Sequence, residues 1–200
     1  MAKGRGEKGA ESALAQIYAG ATNAEVFAQA FLETQEHAAS GHIARWMRDE
    51  IFSLQQQGIL RADGTTILDA GCGPLTLEYY LDQSVYGIDL NPYIIECGRT
   101  RSPWKGVNAQ QGYLSSLPSD WTGKFELTVA SLVLDWLAGD RVAALAQLVR
   151  VTHPLGRIWI TVTESEMNNE ILSAWISELV RCGCRIIEHL TGLVRTKPEQ

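Results

Sequence analysis

The chain has 200 residues, a formal net charge of -6, four cysteines and 46% hydrophobic residues. That describes one mildly acidic globular unit with enough chain for a sizeable core. It argues against a broad phosphate-binding face and leaves nucleic acid possible only through a local patch, such as the Lys3, Arg5 and Lys8 tail. No apolar run reaches the roughly 18 to 20 residues of a bilayer span, and the first ten residues lack a secretory apolar stretch, so a cytoplasmic protein without a membrane partner is expected. Cys182-Gly183-Cys184 is too closely spaced to read as a disulfide or half a zinc site; the cysteines are expected reduced, with no metal bound.

Residues 1–10, rich in Gly, Lys and Glu, carry too little apolar surface to offset the entropy of ordering and are expected to be a disordered tail. Residues 11–60 form a helical N-terminal extension: Asn23 can cap one helix, and Ile43, Met47 and Ile51 mark a second that ends near Gly58. Beyond Gly64, residues 61–200 alternate short β-rich runs with helical stretches, as in parallel βαβ units. Strands are predicted at Thr65–Ala70, Ser84–Asp89, Val107–Gln111, Phe125–Ser131 and Arg157–Thr163. Helices are predicted to open near Leu75, at Asn91-Pro92, at Asp140 and near Asn168, the last closed by Gly183. Arg185–Leu190 and Leu193–Lys197 flank Thr191-Gly192 and read as a terminal hairpin.

The chemistry concentrates at Ile67–Leu75, where an apolar strand runs into a Gly71-Cys72-Gly73 turn and a new helix. In an open parallel sheet this is a ligand position, because glycine lets backbone approach the ligand and the helix start offers unpaired N–H groups. A second strand ends on Asp89, 18 residues after Gly71, the offset at which a carboxylate can take both hydroxyls of an adenosine ribose. Asp69 separates two cofactor classes. A carboxylate at that strand end would repel a pyrophosphate, whereas it tolerates the sulfonium and ammonium of S-adenosylmethionine. Position 76, where a dinucleotide binder should place its third glycine, is Thr76.

With these residues in place the chain resembles the class I S-adenosylmethionine-dependent methyltransferases, in particular their small-molecule group, over about residues 60–197. The resemblance implies a Rossmann-like α/β fold. Its mostly parallel seven-stranded sheet would have an antiparallel last strand and helices on both faces. It also implies a cofactor set: Asp69, Gly71, Cys72 and Gly73 in the methionine-binding loop, Asp89 and Leu90 at the ribose, Tyr113 and Leu114 at the adenine edge, and Ser131 at the end of strand four. The segment Arg150–Arg157 matches the turn before strand five. The loop after strand four would border the transferred methyl, so Asp135 is a candidate proton acceptor, though a helix-capping aspartate would look the same. Of the four histidines His42 is the candidate for acid–base work, because its helix could cover the cofactor. Arg45, one turn along, could meet the methionine carboxylate or simply share a solvated face with Arg48 and Asp49.

Three positions depart from the family pattern. Leu75 stands where the third loop glycine is usual, which would put a branched side chain into the turn that meets the cofactor; Tyr113 replaces an aspartate, and Leu155 a turn glycine. The leading expectation is methyl transfer to a small-molecule acceptor through O, N or C. The alternatives are a catalytically degenerate methyltransferase-like binding or assembly subunit and, more distantly, a nicotinamide oxidoreductase. The short links after strand five leave residues 11–60, or a protein partner, to cover an open site.

Overall fold

In the computed structural model, residues 22–32, 35–81, 83–101, 108–162 and 169–186 are described. The tail at 1–10 and nearly all of the terminal hairpin lie outside them. Helices α1 (Thr22–Leu32) and α2 (Gln35–Gln56) precede β1 (Ile67–Ala70), α3 (Thr76–Tyr80), β2 (Val85–Asp89), α4 (Pro92–Arg101) and β3 (Asn108–Gln111). Then follow β4 (Phe125–Ser131), α5 (Arg141–Val151), β5 (Thr152–Thr161) and α6 (Asn169–Arg181), with 3-10 turns at Ser119–Trp121 and Leu134–Asp140.

The five strands form one sheet in the order β3-β2-β1-β4-β5, and every pairing is parallel. Parallel neighbours bring all the carboxyl ends to one edge. The order reverses between β1 and β4, so the loops leaving these strands diverge and open a crevice there. Alternation along β1 shows how both faces are buried. Ile67 packs with Met47, Ile51 and Leu77 of α2 and α3, whereas Leu68 packs with Leu145 and Leu148 of α5 and Trp175 of α6. Both β1 residues are fully buried, which contributes about 1.5–3 kcal/mol per large side chain.

Two boundaries differ from the expected ones. Strand β5 begins at Thr152, before the expected Arg157, because Phe125 pairs with Thr152 while Leu127 pairs with Arg157. The intervening residues form an irregularity that leaves Leu155 at 89% exposure, so the turn expected at 150–157 is the bulged start of the strand. The seven-residue 3-10 turn at Leu134–Asp140 has no periodic signal in the sequence, and Asp140 precedes α5 without a side-chain capping bond.

All four cysteines are free thiols. No described helix is long and apolar enough to cross a membrane, and among the described residues no group of His, Cys, Asp and Glu side chains is set to hold a metal ion.

Candidate functional site

The site grows from the turn after β1. Gly71, Gly73 and Leu75 all have positive φ, at 83°, 50° and 57°. Gly71 is required twice over, because a Cβ there would also stand 2.3 Å from Cγ2 of Val133, in the loop after β4. The loops from β1 and β4 therefore meet in contact at the crevice. Space around Gly73 is open, with nothing within 4 Å of where its Cβ would be. Gly71 N and Cys72 N both donate to the Ile88 carbonyl, at 2.7 and 3.1 Å, which ties the turn to β2.

Leu75 corrects the expectation drawn from its branched side chain. It takes the left-handed conformation that glycine would supply, and its side chain turns into the core against Ile94, Ile95 and Ala28 instead of into the turn's mouth. That conformation costs a non-glycine residue about 1–2 kcal/mol, which burial of the leucine offsets.

Asp89 organises the next strand end. Its Oδ2 accepts from Gly73 N at 3.0 Å and its Oδ1 from Asn91 N at 2.9 Å, while its carbonyl accepts from Gly112 N at 2.9 Å after β3. One residue thus fixes three loops. A carboxylate has about four acceptor positions, and the N–H groups of Gly73, Asn91 and Leu90 leave one for a further donor. Asn91, fully buried, caps α4 through its Oδ1, which accepts from Tyr93 N at 3.0 Å and Ile94 N at 3.4 Å. Its Nδ2 donates to the Ala24 carbonyl of α1 at 3.1 Å. Helix α1 also places Phe27 edge-to-face on Trp136, with centroids 6.4 Å apart. With Ala28 on Leu75, helix α1 touches the segments following β1, β2 and β4. It therefore crosses the carboxyl edge of the sheet.

The electrostatics are acidic and dry. Burial first, then the Asp89 charge, pushes the Asp69 carboxyl from its ordinary 3.8 up to about 7, with a hydrogen bond from Glu78 pulling the other way. Glu78 is itself raised well above the usual carboxylate range, chiefly by burial and then by the Asp69 charge. Burial raises Asp89 too, and the N–H groups of Asn91, Gly73 and Leu90 oppose it. The Cys72 thiol is pushed well up by burial and by the Glu78, Asp89 and Asp69 charges, so it is no thiolate nucleophile at neutral pH. An acidic, water-poor pocket of this kind suits a cation and opposes a pyrophosphate.

Among the residues singled out from the sequence, Asp69, Gly71, Cys72, Gly73, Asp89 and Leu90 come together at adjacent strand ends. Tyr113 stands 57% exposed beside them, while Leu114 is buried in the core and offers only backbone. Ser131 ends β4, its hydroxyl 2.8 Å from that of Thr161. Asp135 lies in the 3-10 turn beyond it. His42 is exposed, its Nδ1 accepting from Arg45 Nη2 at 2.7 Å. Arg45 is occupied there and on Tyr80, to whose hydroxyl its Nη1 donates at 3.3 Å. Sequence reading missed Glu78, Val133 and Phe27. The lone glycine inside β2, Gly87, was a usable signal for the first, since a strand glycine marks close approach of another group.

Comparison with known proteins shows what the chain is similar to. Residues 68–160 match the methyltransferase domain family. A malonyl-[acyl-carrier protein] O-methyltransferase of Halorhodospira halophila is 34% identical over 112 residues, covering 54% of this chain and 37% of the relative. Its counterpart in Erwinia billingiae is 27% identical over 158 residues, 76% of this chain and 59% of the relative. The chain therefore spans less than two thirds of either curated relative. Among solved structures, a TehB-like methyltransferase of Corynebacterium glutamicum superposes with a TM-score of 0.62 at 24% identity, over 78% of this chain and 83% of its own. It shares the fold. Residues 68–160 thus match a methyltransferase domain, and the chain has the fold of a structure described as a TehB-like, S-adenosylmethionine-dependent methyltransferase.

Proposed function

From that match and that fold we propose that the chain catalyses S-adenosylmethionine-dependent methyl transfer to a small-molecule acceptor, with helix α1 as the covering element of its site. The observation that carries the reading is the Asp89 carboxylate, which joins the glycine turn to the α4 cap and keeps an acceptor position for a further donor. The residues fit the cofactor: the open space at Gly73 admits it, and the buried Asp69 is a group that a neighbouring cation would satisfy. When bound, S-adenosylmethionine supplies a methyl carbon already activated by positive sulfur.

What remains for the protein is alignment and exclusion of water. In this reading Asp89 takes the two ribose hydroxyls, the Gly71–Gly73 backbone lines the methionine portion, and Tyr113 with the Leu114 backbone borders the adenine. Ser131 and the segment through Asp135 face the acceptor. Phe27 and Trp136 close the top, their edge-to-face contact bridging α1 and the post-β4 turn. The acceptor atom attacks along the axis opposite sulfur. A hydroxyl or amine acceptor releases its proton, for which Asp135 stands at the right backbone position, while an ionised carboxylate needs no base.

The names of the two curated relatives make an acyl-thioester carboxylate the first acceptor to try, with O, N and C acceptors of small size as the wider set. A carrier protein presenting such a thioester, or another protein closing the site, is the corresponding partner proposal. A non-catalytic binding subunit is the alternative, and Leu75 weakens the case for it by preserving the glycine-like turn.

Calorimetry with S-adenosylmethionine, its demethylated product and NAD tests the reading. Micromolar binding of the sulfur nucleosides and none of NAD is expected; binding of neither nucleoside would refute it. Asp89→Ala should weaken the cofactor at least tenfold, and unchanged affinity would show that Asp89 does not hold the ribose.

A further inference from the structure

Asp69 pairs in register with Gly87 of the neighbouring strand, and both lie on the sheet face that α2 and α3 cover. Glu78, on α3, is 2% exposed, and its carboxyl reaches over this pair: a Cβ on Gly87 would stand 3.0 Å from Glu78 Oε1 and 3.0 Å from Cys72 Sγ. Gly87 is thus the clearing into which the Glu78 carboxyl fits, alongside the thiol of the glycine turn. Leu77, its neighbour, fills the core as α3 requires, so the helix turns one acidic side chain inward at that point.

We propose that Glu78 is a positioning residue for the cofactor: its carboxyl group, lodged over Gly87, donates a hydrogen bond to Asp69 and holds that carboxylate beneath the glycine turn for a cationic ligand. Two carboxyl groups in a dry pocket do not both ionise, because like charges at such range repel strongly. The Glu78 carboxyl, raised further than it would be without its neighbour, keeps the proton and acts as the donor. Asp69 is then the member left to ionise. The other titratable groups beside the pair are Asp89 at the end of β2, whose charge raises Asp69, and the Cys72 thiol in the turn, which the same acidic charges keep neutral. The arrangement costs the ligand-free protein stability and is repaid only when a positive charge arrives.

This inference rests on the cofactor reading above, and the experiment separates the two. Glu78→Leu, Glu78→Ala and Glu78→Gln are compared with the wild type by thermal denaturation without ligand and by calorimetric titration with S-adenosylmethionine. The expected pattern is opposite movement in the leucine variant: equal or higher melting temperature, because a buried acid is gone, with affinity reduced at least tenfold. Glutamine, whose amide N–H still donates to Asp69, should bind within about threefold of wild type. Alanine serves where leucine does not fold, and should show the same loss of affinity. Wild-type affinity in the leucine or alanine variant overturns the proposal, and so does a glutamine variant as weak as leucine. A wild type that binds no sulfur nucleoside would instead sink the cofactor reading itself.

Discussion

Replacing Asp69 by asparagine should change how the ligand-free protein's stability depends on pH. The Asp69 carboxyl rises from 3.8 to about 7 on folding, so below pH 3.8 it is protonated in both states and contributes no difference in proton count. Between those values the unfolded chain loses the proton while the folded one keeps it, so the folded state binds more protons and stability falls as pH rises. The favourable contribution is fully present below the unfolded value and gone once pH passes the folded one. The slope is about 1.4 kcal/mol per pH unit, or roughly 3 kcal/mol between pH 4.5 and 7, as an upper figure for a group sharing its proton with Glu78. Asparagine cannot ionise, and it also removes the Asp69 charge that raises Glu78, so both sources of slope shrink together. Urea denaturation of the ligand-free wild type and Asp69→Asn from pH 4.5 to 8.5 reads this directly. The curves should diverge by about 2–3 kcal/mol toward high pH, with asparagine the more stable. Parallel curves would refute the buried-acid account of Asp69.

Further expectations concern the turn. Leu75→Gly removes about 1–2 kcal/mol of left-handed strain but loses a buried leucine, a change that costs about 2–5 kcal/mol, so urea denaturation should show a net loss of roughly 2 kcal/mol. Cofactor affinity by calorimetry should stay within about threefold; a tenfold gain would mean that the leucine obstructs the cofactor. Gly71→Ala should destabilise by about 2–5 kcal/mol through its positive φ and the overlap with Val133. Adding Val133→Ala should restore part of that in a double-mutant cycle, and strict additivity would show that the two loops are not in contact.

Where the strands and the glycine turns lie was readable from the sequence because it rests on local causes. A strand buried on both faces, as at Ile67 and Leu68, leaves a short apolar run along the chain, and positive-φ turns at Gly71, Gly73 and Gly183 call for glycine. The same holds for Asp89 and Asn91: a strand-end carboxylate and a helix cap are defined by their own neighbours in sequence. Leu75 shows where that legibility stops. Its φ follows from the turn, but whether its side chain faces the pocket or Ile94 and Ile95 depends on a helix 17 residues away, beginning at Pro92. Helix α1 could be drawn from its pattern, yet its place across the strand ends comes from the Asn91 bond to Ala24 and the Phe27 contact with Trp136, which no local signal encodes. The Asp69 and Glu78 pair belongs to the same class. Nine residues apart, on a strand and a helix, they become one acidic unit only when the sheet and α3 close over Gly87 and remove the water that would have kept each an ordinary carboxylate.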